Sequence, residues 1–190
     1  TGALLEDTIE NTTGSVTWAN DNQTVFYVKK DPQTLRANQI YKHRLGTPSS
    51  EDELVYEEID ETFSCWVYKT KSRDYLMIGS SQTLSTEFRF LDANTPNGTW
   101  KVVHPREREL EYFVDHYGDH FYIVTNWEAK NFRLMKTLVN QSEKEYWKEI
   151  IPHRSNVLLE DIEIFKDHLV VNERENGLTR LRVIQWADNS

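Results

Sequence analysis

The sequence predicts an all-β chain: a partial β-propeller of about three complete four-stranded antiparallel blades plus parts of two flanking blades. Three observations predict it. The chain echoes itself at about 48 residues. Each echo holds four short segments rich in Val, Ile, Phe, Tyr and Trp, divided by Asn, Asp, Gly, Ser or Pro. The 3.6-residue spacing of an amphipathic helix is missing nearly everywhere.

The first segments are marked by Trp18, Trp66, Val114 and Ile162, each 48 residues apart. In "WANDNQTVFYVKKD" (18–31) the Asn and Asp residues read as a hairpin turn and "VFYV" as the second strand; Val114–Asn126, "VDHYGDHFYIVTN", reads the same way. The second segments are Val25–Val28, Tyr75–Ile78, Phe121–Val124 and Leu169–Asn172. The third begin at Gln39, Glu87, Asn131 and Arg180. The fourth, "ELVYEE", "KVVHP" and "KEIIP", end at Glu58, Pro105 and Pro152. "SEDELVYEEIDE" has the composition of an acidic helix, but its place in the repeat predicts a strand. Repeats of this length with four strands are propeller blades, whereas helical solenoids have shorter, helix-patterned units. A β-sandwich also has many short strands but needs no 48-residue echo.

The predicted organisation is a single partial domain over 1–190. Residues 1–13 are the last strand of a preceding blade, 14–61, 62–109 and 110–157 are whole blades, and 158–190 form an incomplete one. The chain opens on Thr1 and not Met, which predicts a natural N-terminus upstream. Such an arc leaves open strand edges, which invite self-association.

Composition restricts function. The net charge of -9 argues against a nucleic-acid surface, which needs clustered Lys and Arg; an acidic face attracts short basic peptides, but an ordinary acidic soluble protein accounts for the charge taken alone. No stretch is long and apolar enough for a membrane helix, and a signal peptide is missing at the start. Cys65 is the sole cysteine, which excludes an internal disulfide and fits a cytoplasmic setting. The Asn-X-Ser/Thr triplets at Asn11, Asn22, Asn97 and Asn140 read as turn chemistry.

Each stretch that carries chemistry has a structural reading. "GSS" at Gly79–Ser81 lacks the second glycine of a nucleophile elbow and reads as a loop. "DHYGDH", Asp115–His120, has metal-ligand residue types, but they flank a hairpin turn. "DANTPNG", Asp92–Gly98, has oxygen ligands at the wrong spacing for calcium. Glu57, Glu58, Asp60 and Glu61 read as solvated loop carboxylates, Trp18 and Trp66 as equivalent blade-packing positions, and Cys65 as a small buried hydrophobe. No catalytic, cofactor-binding or metal residue is expected in the chain.

A family resemblance rests on longer stretches: "VTWANDNQTVFYVKKDPQTLRANQIYKHRLGTPSSEDELVYEE" (16–58), "YKTKSRDYLMI" (68–78), "EYFVDHYGDHFYIVTNWEAKNFRLMKT" (111–137) and "LEDIEIFKDHLVVNERENGLTRLRVI" (159–184). These resemble the propeller of the prolyl oligopeptidase family of serine peptidases, and "NWEAKNFRL" and "ERENGLTRLRV" its oligopeptidase B (protease II) branch. The resemblance implies a cytosolic parent enzyme. Its α/β-hydrolase domain carries a Ser, Asp, His triad and cuts short peptides after Arg or Lys, while a seven-bladed propeller filters substrates by size. The triad then lies outside this chain, whose partner is the peptidase domain of the same parent. A free-standing propeller that binds a protein is the alternative reading.

Overall fold

Alternating apolar and polar residues in short runs, broken by turn residues, give strands that pair with their sequence neighbours. The computed structural model describes residue 2 and residues 5–186. Its first sheet runs β1 (Thr12–Trp18), β2 (Thr24–Lys30), β3 (Ala37–Arg44) and β4 (Glu53–Glu57) in that spatial order. The second is β5 (Ser64–Lys69), β6 (Tyr75–Gln82), β7 (Ser85–Asp92) and β8 (Lys101–His104), again in order. The third is β9 (Tyr112–Tyr117), β10 (His120–Thr125), β11 (Arg133–Leu138) and β12 (Lys148–Ile151). The fourth has three described strands, β13 (Val157–Ile164), β14 (His168–Glu175) and β15 (Leu178–Gln185). Each sheet is one copy of the sequence echo, and the acidic stretch after Ser49 contributes β4 and one 3₁₀ turn, not a helix. Among the described residues no helix is long and apolar enough to cross a membrane.

The chain divides into two compact units. One comprises the described residues up to Thr83 together with Glu87–Pro105; the other comprises Leu84–Thr86 and the described residues from Arg106 onward. The core of the first unit joins Phe26, Val28 and Ile40 of the first sheet to Cys65, Val67, Leu76, Ile78 and Leu91 of the second. The core of the second unit joins Tyr122, Val124 and Leu134 to Leu159, Ile162, Ile164, Leu169 and Val171. A lone four-stranded sheet cannot cover both of its faces; a neighbouring copy of the repeat covers one.

The turns explain the Asn and Asp residues. Asp21 Oδ1 accepts the Gln23 and Thr24 N–H groups at 3.0 and 2.9 Å, while Asn22 takes a left-handed φ of 56°. Tyr117 pairs with His120, so Gly118-Asp119 is a two-residue hairpin loop with Gly118 at φ 60°, where glycine has no Cβ penalty.

Two expectations are corrected. Gly79–Ser81 is not a loop: it lies inside β6, with Gly79 directly opposite Trp66. Trp18 and Trp66 are not equivalent either. The closing bond of the first hairpin runs from Ala19 N–H to Thr24 O, and that of the second from Thr70 N–H to Tyr75 O, both 2.9 Å. Trp18 therefore corresponds to Lys69, and Trp66 stands three residues earlier. An odd offset turns a side chain to the other face. Trp66 packs edge-on to Phe88 of β7 at 5.7 Å, a contact within the second sheet, whereas Trp18 is 42% exposed, so the two tryptophans share no common packing role.

Candidate functional site

Consecutive sheets are joined by short crossovers from a fourth strand to the next first strand, and in the first three sheets a polar side chain at or just before the start of the third strand grips them. Arg36 Nη1 donates to the carbonyls of Glu58, Asp60 and Phe63 at 3.2, 3.2 and 2.8 Å. Ser85 Oγ donates to Glu107 O at 2.9 Å. Asn131 Nδ2 donates to Arg154 O and Ser155 O at 3.1 and 2.8 Å. The crossover carbonyls accept at most a local turn N–H, as Asp60 O, Glu107 O and Arg154 O do, and these side-chain donors supply a further bond in each of the three repeats. The residue type changes each time, which is why the pattern escapes a search for identities.

Glu58 corrects another expectation. It is not solvated but 2% exposed, and its carboxylate accepts Ser80 Oγ at 2.5 Å, Tyr56 Oη at 2.8 Å and the Asp60 N–H at 3.0 Å. The Ser80 hydroxyl is therefore spent on holding a buried anion. Cys65 is buried as expected; burial first, and then the Glu58 charge, pushes its thiol up to about 12, far from nucleophilic readiness.

The densest titratable cluster was missed from the sequence because its members lie far apart in the chain. His43 is 1% exposed on β3, with Nδ1 2.7 Å from Asp52 Oδ1 and Nε2 3.1 Å from Asp7 Oδ1. Tyr27 Oη donates to Asp52 Oδ2 at 2.7 Å, and the Gly46 N–H donates to Asp7 Oδ1 at 2.5 Å. Burial alone would lower the basicity of His43, but the hydrogen bonds to Asp52 and Asp7 outweigh it and hold the imidazole above its ordinary 6.5. Asp7 is held below the ordinary carboxylate value, first by the Gly46 N–H and then by His43. With a carboxylate on each ring nitrogen, the imidazole has no lone pair to offer a nucleophile, so this arrangement holds structure and does not activate a hydroxyl.

The other sequence candidates separate. His116 is buried edge-on to Phe121 at 5.7 Å, whereas His120 lies half-buried across the turn, with its basicity lowered by burial and then by Lys136. Asp92 Oδ1 caps its own turn by accepting the Asn94 N–H at 2.8 Å. Among the described residues no group of three or more His, Cys, Asp or Glu is placed to hold a metal.

The profile of the prolyl oligopeptidase N-terminal β-propeller domain matches residues 1–190. The chain belongs to the prolyl oligopeptidase family. Within that family it is 41% identical to dipeptidyl aminopeptidase BI of Pseudoxanthomonas mexicana over 100% of this chain and 26% of that protein. It is 31% identical to protease 2 of Moraxella lacunata over 97% of this chain and 26% of the relative. Oligopeptidase B from Leishmania major superimposes with a TM-score of 0.92 at 32% identity, covering 98% of this chain and 26% of that one. Oligopeptidase B from Trypanosoma brucei, with covalently bound antipain in a closed form, gives 0.91 at 29%, covering 98% and 26%. The chain thus spans about a quarter of the length of these prolyl oligopeptidase family relatives, and its sheets are blades of their propeller.

Proposed function

We propose that this chain is the substrate-gating part of the propeller of an oligopeptidase B-like serine peptidase that cleaves short peptides after Arg or Lys. The observation that carries this reading is near-complete coverage of the chain by the propeller quarter of family peptidases, at 41% and 32% identity. Two features support it. Within each unit an apolar core joins neighbouring blades and part-buried polar grips hold the crossovers, as a wall requires. The net charge of -9 favours basic peptides electrostatically.

On this reading the chain itself is inactive, the triad sits in the peptidase domain of the same parent, and the protein works in the cytoplasm. The blade boundaries are those of the echo: 14–61, 62–109 and 110–157, with partial blades at either end. The exposed Leu181 and Val183 of β15 mark a face that a further blade covers in the parent; in isolation, open edges lead the chain to self-associate.

A second reading concerns cleavage mode. The 41% identity to a dipeptidyl aminopeptidase favours release of dipeptides from free N-termini. The test uses the longer parent protein with two chromogenic substrates, one an N-blocked arginyl peptide and one a free dipeptidyl amide. Turnover of the blocked substrate supports the endopeptidase, and turnover of the free one alone supports the second reading. Hydrolysis by the 190-residue chain above a buffer blank would overturn the assignment of a non-catalytic gate.

A further inference from the structure

Asp7 and His43 meet at a place where the next repeat is dry. One repeat of 48 residues further on, positions 55 and 91 carry Val55 and Leu91, and both pack in the apolar core between the first and second sheets. The joint in the second unit is dry as well, with Ile150, Ile151 and Ile184 in one core. The first joint alone among these exchanges an apolar pair for two ionisable groups.

The surroundings fix what each group can do. On the β3 side, Asp52 is anchored: its side chain is 2% exposed and it also accepts the Tyr27 hydroxyl. Tyr41 stacks on Tyr27 at 5.7 Å, and Lys29 Nζ lies over the Tyr41 ring at 4.5 Å and the Tyr27 ring at 5.8 Å. On the other side Asp7 belongs to residues 5–11, which form no strand and touch β3 and its following turn through His43 and Gly46. A doubly protonated imidazole donates to both carboxylates at once. A neutral imidazole has a single N–H and keeps it on Asp52, the buried partner, leaving a ring lone pair facing the Asp7 carboxylate. That contact then repels instead of binding.

We propose that the Asp7–His43–Asp52 chain is a pH-operated latch: imidazolium His43 fastens residues 5–11 onto the first sheet, and loss of its proton releases them. The apolar joints inside the two units, between the first and second sheets and between the third and fourth, stay shut across the same range. The latch is a property of this chain and does not rest on the peptidase reading.

The test is NMR on the 190-residue chain between pH 5 and 9. Long-range ¹H–¹⁵N spectra report the protonation of His43, while amide shifts and exchange, corrected for intrinsic pH dependence, report Thr8 and Gly46. The expected result is a His43 midpoint above 6.5, with protection of the Gly46 amide falling by up to about tenfold per pH unit between 6.5 and that midpoint and levelling off above it, and a Thr8 amide shift that follows the same titration. Asp7→Asn should abolish the titration of the Thr8 amide and lower the His43 midpoint while leaving core amides of β2 and β6 unchanged. The double variant Asp7→Val/His43→Leu, which copies the pair found one repeat later, should hold the segment at every pH tested. A His43 midpoint at or below 6.5, or Thr8 and Gly46 signals indifferent to its titration, overturns the latch.

Discussion

Trp66 lies directly across the β5–β6 ladder from Gly79, and a Cβ built at position 79 would stand 2.3 Å from the indole ring. The ring fills the space that a side chain would take and reaches Phe88 at an interplanar angle of 85°. Glycine weakens a strand by itself, but here an aromatic laid across it restores the lost contact. Gly79→Ala should therefore destabilise the chain by about 2 kcal/mol, because the indole must leave its place and overpack its neighbours. Urea unfolding checks this: the midpoint should fall with the slope unchanged.

Glu58 and Glu173 are both buried carboxylates, but they differ in what their loss leaves behind. Removing Glu58 takes the acceptor from the buried Ser80 hydroxyl and breaks the bonds from the Tyr56 hydroxyl and the Asp60 N–H. Glu58→Ala should cost about 3 kcal/mol. Glu173 is bound by Arg154 and Arg182, whose side chains are 35% and 39% exposed and can turn to water. Glu173→Ala should cost about 1 kcal/mol. Equal losses in parallel denaturation curves would contradict the distinction.

These contrasts show what could be read in the sequence. Strand identity was legible because a strand covered on both faces writes a short continuous apolar run bounded by turn residues into the chain, so Val25–Val28 and Phe121–Val124 announce β2 and β10. Facing was less legible: a hairpin offset of three residues separates Trp18 from Trp66 in spite of their 48-residue spacing. Polar function was least legible. Glu58 looks like its solvated neighbours Glu57 and Glu61 until Ser80, 22 residues away, is brought against it. His43 gains its character from Asp52 and Asp7, which no local pattern connects to it. Charge pairing across blades is a tertiary property, and it leaves no periodic trace.

Cys65 offers a kinetic check on the first core. With the thiol pushed up to about 12, roughly one molecule in ten thousand carries the thiolate at pH 8, and the group is 2% exposed. Labelling by a disulfide reagent should then proceed at the rate of opening, and accelerate sharply in urea concentrations that unfold the first unit. Rapid labelling of the native chain would mean that the core between the first and second sheets is open.

The pH profile of stability follows from two opposite shifts. His43 is held above 6.5 in the folded chain, against the pull of burial, by Asp52 and Asp7. Its contribution is fully present below 6.5 and fades as pH rises through the folded value. Asp7 is held below 3.8, first by the Gly46 N–H, and Asp31 likewise by the Thr34 N–H. Their contributions are present above 3.8 and fade as pH falls through the lowered values. Stability should therefore be greatest between about pH 4 and 6.5 and decline on the alkaline side through His43. Urea midpoints measured at pH 5.5 and 8.5 at constant ionic strength should differ in the native chain. The alkaline decline should disappear in His43→Leu, leaving only the opposite rise with pH that His120 contributes because burial holds it below 6.5, and it should shrink in Asp7→Asn, which leaves Asp52 as the sole carboxylate on the ring. A difference of equal size in all three would place the alkaline loss elsewhere in the chain.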